Sequence, residues 1–142
     1  MADIFAGATL TVTVVGLLFI YLQLRALSQQ VKLQHYSDYT KRYQEIALKF
    51  PEEVNRKDFS LVGREDYDKT MRYMRAYFDL CFEEWDLNNK QLIEPTFWSV
   101  WKGGMAFALT KPAFQQAWSI IRRDSSFGAE FEAFVDQCIN AA

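Results

Sequence analysis

The sequence predicts an all-α protein in which one N-terminal transmembrane helix continues into a small cytoplasmic bundle of about four to five helices. Three observations lead there. An uncharged apolar run opens the chain, apolar residues recur every three or four positions through most of the rest, and only 6 Gly and 3 Pro interrupt 142 residues. Half of the residues are hydrophobic and 16% are aromatic, so a single core is expected. The net charge of -2, from 16 Lys plus Arg against 18 Asp plus Glu, excludes a basic nucleic-acid-binding domain, and the apolar content excludes a disordered tail.

The first element is the run IFAGATLTVTVVGLLFIYLQL, Ile4 to Leu24, bounded by Asp3 and Arg25. As a helix it is about 30 Å long, the thickness of a bilayer's hydrocarbon core. A cleavable signal peptide needs a basic start and a small-residue cleavage site, and this run opens Met-Ala-Asp and closes Tyr-Leu-Gln-Leu-Arg. The expectation is an uncleaved anchor over 1–24 and a helical domain over 25–142. Arg25, Lys32, Lys41 and Arg42 follow the span and no Lys or Arg precedes it, which puts the N-terminus outside and the domain in the cytoplasm. Cys81 and Cys138 are then in a reducing compartment and read as buried small hydrophobes. Ala6, Thr9, Thr13 and Gly16 stack on one face of the span, where small side chains let another membrane helix approach closely.

Neither Gly nor Pro occurs from Gln23 to Lys49, so the anchor helix is expected to continue to Pro51. Its seam would be Leu24, Leu27, Val31, His35, Tyr39, Tyr43, Ile46 and Phe50. Residues 52–64 read as a short turn or broken helix, with Gly63 a stop signal. A second helix is expected from about Glu65 to Asp86, its core stripe Tyr67, Met71, Met74, Phe78, Cys81 and Trp85. On its solvated side Glu65–Lys69 and Asp68–Arg72 are favourable pairs. Asn88, Asn89 and Lys90 make a turn, and Pro95 lies near the start of a third stripe, Ile93, Phe97, Val100, Trp101 and Met105, which Gly103 and Gly104 weaken or end. Pro112 opens a fourth helix, and Asp124-Ser125-Ser126 leads into a fifth carrying Phe131, Phe134, Val135 and Cys138.

The inventory for chemistry is thin. His35 is the sole histidine, so neither a His-Glu-x-x-His zinc site nor paired Glu-x-x-His di-iron motifs can be built, and no Gly-rich phosphate loop is present. Asp86 to Phe97 resembles the start of a calcium loop, but Lys90 and Gln91 replace a ligand and the turn glycine, and Phe97 replaces the closing Glu. The expectation there is a helix cap and turn. Glu83, Glu84 and Asp86 read as a solvated helix end, because neighbours on a helix point apart. Trp85, Phe97, Trp98 and Trp101 are candidates for a contact surface or a ligand pocket, and one of Trp98 and Trp101 is expected to lie off the core stripe.

Several segments carry a resemblance. The anchor ending Leu22-Gln23-Leu24-Arg25, the continuation Ser28-Gln29-Gln30, the helix end Phe78 to Glu84 and the tail Ser126 to Val135 resemble, in order, uncharacterised bacterial proteins grouped as a domain of unknown function. These are short single-span membrane proteins with a small helical cytoplasmic domain. The resemblance implies the bacterial inner membrane and the architecture, and supplies no catalytic residue.

The function expected is that of a non-enzymatic accessory or scaffolding subunit of a larger inner-membrane complex, without cofactor or metal. Its partners would be the lipid bilayer, other integral membrane subunits and a second copy of the chain, and no nucleic acid. The alternative is a membrane-tethered sensor that binds a small ligand between its helices.

Overall fold

The computed structural model describes the backbone of residues 2–141 and the side chains of residues 13–141. Among the described residues all regular structure is helical. The elements are α1 (Ala2–Ala47), a 3-10 turn (Glu52–Asn55), α2 (Tyr67–Asn89), α3 (Pro95–Leu109), α4 (Pro112–Asp124) and α5 (Ala129–Asn140). The chain divides into two units, Met1–Asp38 and Tyr39–Ala142.

The first unit is helix along its described length. Its large apolar side chains are bare: Val14 is 57%, Leu17 62%, Phe19 61% and Leu33 63% exposed. A Cβ added to Gly16 would meet nothing within 4 Å. Among the described residues this is the one helix long and apolar enough to cross a membrane. His35 and the seam residues Leu24, Leu27 and Val31 are exposed as well. The expected seam therefore packs only in its later part, inside the second unit, where Ile46 and Phe50 lie against the core.

The second unit begins with the end of α1. That helix stops at Ala47, and its exit tightens into short turns, Lys49 N–H to the Ile46 carbonyl at 3.0 Å and Phe50 N–H to the Ala47 carbonyl at 3.2 Å. The residue before a proline disfavours the helical region, so Pro51 sets this limit. The stretch that follows is more than a turn. Val54, Phe59 and Leu61 plug the core, and Gln116 of α4 holds the irregular stretch at 59–61 by accepting from the Leu61 N–H at 2.9 Å and donating to the Phe59 carbonyl at 3.3 Å.

α2 starts at Tyr67 and runs through Asn88 and Asn89, beyond the expected end. The expected pairs Glu65–Lys69 and Asp68–Arg72 do not form; Arg64 bonds to Asp66 and Arg75 to Asp124 instead. Gln91, at φ 58, closes α2 in the left-handed conformation, with its N–H on the Asn88 carbonyl and the Leu92 N–H on the Leu87 carbonyl, both at 2.9 Å. α3 continues through Gly103 and Gly104 to Leu109, so the glycines, expected to weaken or end it, do not end it. Two glycines cost about 1 kcal/mol each relative to alanine. Met105 and Leu109 lie beyond them, four apart and 4% and 2% exposed, and their burial outweighs that cost.

α2 packs against α3 and α4, and α3 against α4 and α5. Trp118, Phe78, Phe131, Met74, Ile121 and Val135 are the innermost large side chains. The aromatic surplus of the sequence is spent here. Phe114 meets Tyr77 at 5.1 Å, Tyr77 meets Phe78 at 5.4 Å, Phe78 meets Trp118 at 5.0 Å and Trp118 meets Phe131 at 6.0 Å. Trp118 keeps its one polar atom satisfied, its indole N–H donating to Asp136 at 3.2 Å.

Candidate functional site

A polar arrangement beside the core lies where the last turns of α1 meet α2 and α3. On α2 the positions Thr70, Tyr77 and Glu84 recur every seven residues beside the core stripe, and all three are buried. An edge of this kind is buried only when another element covers it, and α1 does so: Tyr43 meets Tyr77 at 6.5 Å. Tyr39 meets Trp101 of α3 at 5.1 Å.

Arg42 links the same elements. Its Nη1 donates to Glu83 Oε2 at 2.6 Å and its Nη2 to Oε1 at 3.1 Å, a two-pronged pair whose side chains are nearly half exposed. The guanidinium also lies 5.4 Å from the centre of the Tyr39 ring. Glu83 and Glu84 point apart, as neighbours on a helix must, but only Glu83 reaches the surface. Glu84 is 6% exposed. The expectation of a fully solvated acidic end is therefore corrected at Glu84, which α1 covers.

The consequence is electrostatic. One cation serves two carboxyl groups, and Glu83 takes both prongs of it. Burial pushes the Glu84 carboxyl up to about 8, against a partial pull downward from Arg42 and a further push from Glu83. Burial also pushes up the Tyr39, Tyr77 and Cys81 groups around it. The arrangement favours a protonated Glu84 at neutral pH.

The predicted site residues fall in different places. Ala6 and Thr9 lie outside the described side chains. Thr13 and Gly16 are on the exposed surface of the first unit. Trp85 packs on Phe131 at 5.5 Å, Trp98 on Phe134 at 5.8 Å and Trp101 on Tyr39, while Phe97 is half-buried. The three tryptophans lie at the margin of the core. Trp98 and Trp101 lie on either side of Met105 around α3 and contact different neighbours, and both are half-buried at the core margin. Two surface depressions, one at Arg64–Asp66 and one between α2 and α4 around Met71 and Ile120, are lined by none of these four.

Two features were not read from the sequence. The outward side of α3, Thr96, Val100, Gly103, Gly104 and Phe107, carries no charge of its own over three turns, with the Lys111 ammonium 4.9 Å from the Phe107 ring centre at its end, and Val100 and Phe107 are 63% and 67% exposed. Arg42 and Glu83 are 41 positions apart, a separation that no local pattern encodes. The seven-residue recurrence of Thr70, Tyr77 and Glu84 was the available signal for the buried carboxyl.

Both cysteines are free and buried. In the calcium-like segment the Lys90 ammonium pairs with Asp86 at 2.6 Å, occupying the carboxylate a cation would need. Among the described residues no three His, Cys, Asp or Glu side chains converge to hold a metal. No protein-family model, curated protein or solved structure matches the chain.

Proposed function

We propose that the protein is an accessory or scaffolding subunit of a larger assembly in the bacterial inner membrane, anchored once, with its helical domain in the cytoplasm and no reaction of its own. The observation that carries the reading is the first unit, whose large apolar side chains from Val14 to Leu33 are exposed. In a bilayer that surface faces lipid, and its small residues Thr13 and Gly16 leave room for a neighbouring helix. The orientation rests on Arg25 and Lys32, which follow the span. The helical domain adds the uncharged outward side of α3. The competing picture, a sensor with a ligand between its helices, draws no support from the tryptophans, whose rings pack edge-on or tilted against Phe131, Phe134 and Tyr39.

Purification of the tagged chain from its native membranes in mild detergent, with co-migrating proteins identified by mass spectrometry, tests the proposal. A stoichiometric set of membrane subunits is expected, reduced by Gly16→Leu. A lone monomer or homodimer overturns it.

A further inference from the structure

We propose that Glu84 is a proton-operated latch: in its neutral form it lets the last turns of α1 lie closed over α2 and α3, and in its ionised form it loosens them. The geometry comes first. Glu84 sits on the covered edge of α2 at 6% exposure, and the nearest cation, Arg42, is already held by both oxygens of Glu83. An ionised Glu84 is therefore a buried carboxylate without a cation of its own, and such a group is strongly unfavourable. The protein relieves it in one of two ways, by keeping the proton or by lifting the last turns of α1 so that the carboxylate is more fully hydrated.

The surroundings single out this group. From α1 it feels Arg42 and Tyr39, with Tyr43 beside Tyr77. From α2 the groups are Tyr77, Cys81 and Glu83. Cys138 of α5 bears on Cys81, and Lys102 of α3 bears on Cys138. Tyr39, Tyr77, Cys81 and Cys138 are all raised by burial, so they stay neutral through the range in which Glu84 changes charge. Arg42 is raised by its bond to Glu83 and stays charged. The Arg42–Glu83 clamp and the Tyr39–Trp101 contact hold α1 in place on the outside, and the proton on Glu84 decides the inside. A latch at this position controls the first packed turns of the second unit.

The test is hydrogen exchange on the full chain in detergent or lipid discs, following the peptide that covers 39–47 at pH 6 and pH 9 after correction for intrinsic exchange. With a buried value of about 8 and an ordinary one of 4.5, opening of this segment rises by roughly 90-fold at most between those conditions. Glu84→Gln keeps the shape without the charge and is expected to make the segment insensitive to pH. A flat wild-type profile, or the same rise in Glu84→Gln, overturns the latch. Should Glu84→Gln fail to fold, carbon NMR titration of Glu84 in the wild type decides: a midpoint near 8 supports it and one in the ordinary glutamate range overturns it.

Discussion

The segment between α1 and α2 is held by two devices that can be separated by mutation. Leu61 is fully buried, and deleting three of its carbons by Leu61→Ala removes core contacts and leaves a cavity, at about 3 kcal/mol. Gln116→Ala leaves the Leu61 N–H, bonded at 2.9 Å, without its acceptor and the Phe59 carbonyl without its donor. A buried N–H that loses its partner costs about 1–2 kcal/mol. The two changes act on the same residue, so the double variant is expected to cost less than their sum. Urea unfolding of the full chain in mild detergent measures all three. Trypsin supplies an independent readout, because Arg56, Lys57 and Arg64 lie in this segment. Gln116→Ala is expected to expose them to cleavage while α2 to α5 stay intact. A cost below about 0.3 kcal/mol for Gln116→Ala, with unchanged cleavage, refutes the view that the α4 amide fixes the segment.

Two further outcomes follow from local geometry. Gln91 adopts φ 58, a region that costs a residue with a side chain about 1 kcal/mol, so Gln91→Gly is expected to raise the unfolding free energy by about that amount. Unfolding in urea checks it, and a loss of stability counts against the closure described for α2. Glu83→Gln removes an exposed pair worth under about 1 kcal/mol, yet it frees Arg42 and deletes a like charge beside Glu84. The Glu84 titration midpoint is expected to fall from about 8, and a rise contradicts the assignment of Arg42 as the shared cation.

Much of the fold was legible because its signals are local. Pro95 and Pro112 stand at the first helical positions where the sequence puts them, and the stripes of α2 and α5 face the core as their spacing requires. Where the reading failed, tertiary packing overrode a local rule. Gly103 and Gly104 do not stop α3, because Met105 and Leu109 draw the helix onward into the core. Residues 52–64 read as a short turn or broken helix, which the 3-10 turn at Glu52–Asn55 fits, but the burial of Val54, Phe59 and Leu61 is not something periodicity can show in so short a stretch. The site was the least legible part. That Glu83 and Glu84 diverge follows from helix geometry, but which of them is covered depends on α1, more than thirty positions away in the chain. The tryptophans illustrate the same limit: their spacing fits a core margin and a binding surface equally, and only their ring partners distinguish the two.

The pH profile of stability brings these charges together, because the carboxylates pull in opposite directions. Hydrogen bonds from Arg64 and Arg56 hold Asp66 and Asp58 below the usual carboxylate range. What those groups contribute is present above their unfolded values and is lost as pH falls through the folded ones. Glu84 behaves in the reverse sense. Its folded value is raised from 4.5 to about 8, so the folded state binds more protons than the unfolded state across that window and stability declines as pH rises through it. At about 1.4 kcal/mol per unit, the decline from pH 5 to pH 8 reaches about 3.5 kcal/mol as an upper value, reduced to the extent that α1 opens first. Stability is therefore expected to peak in the mildly acidic range. Urea midpoints of the full chain at pH 4, 5.5, 7 and 8.5 test this. In Glu84→Gln the alkaline decline is expected to flatten while the acid limb stays, and a wild-type midpoint that climbs steadily to pH 8.5 shows that Glu84 is ionised in the folded chain.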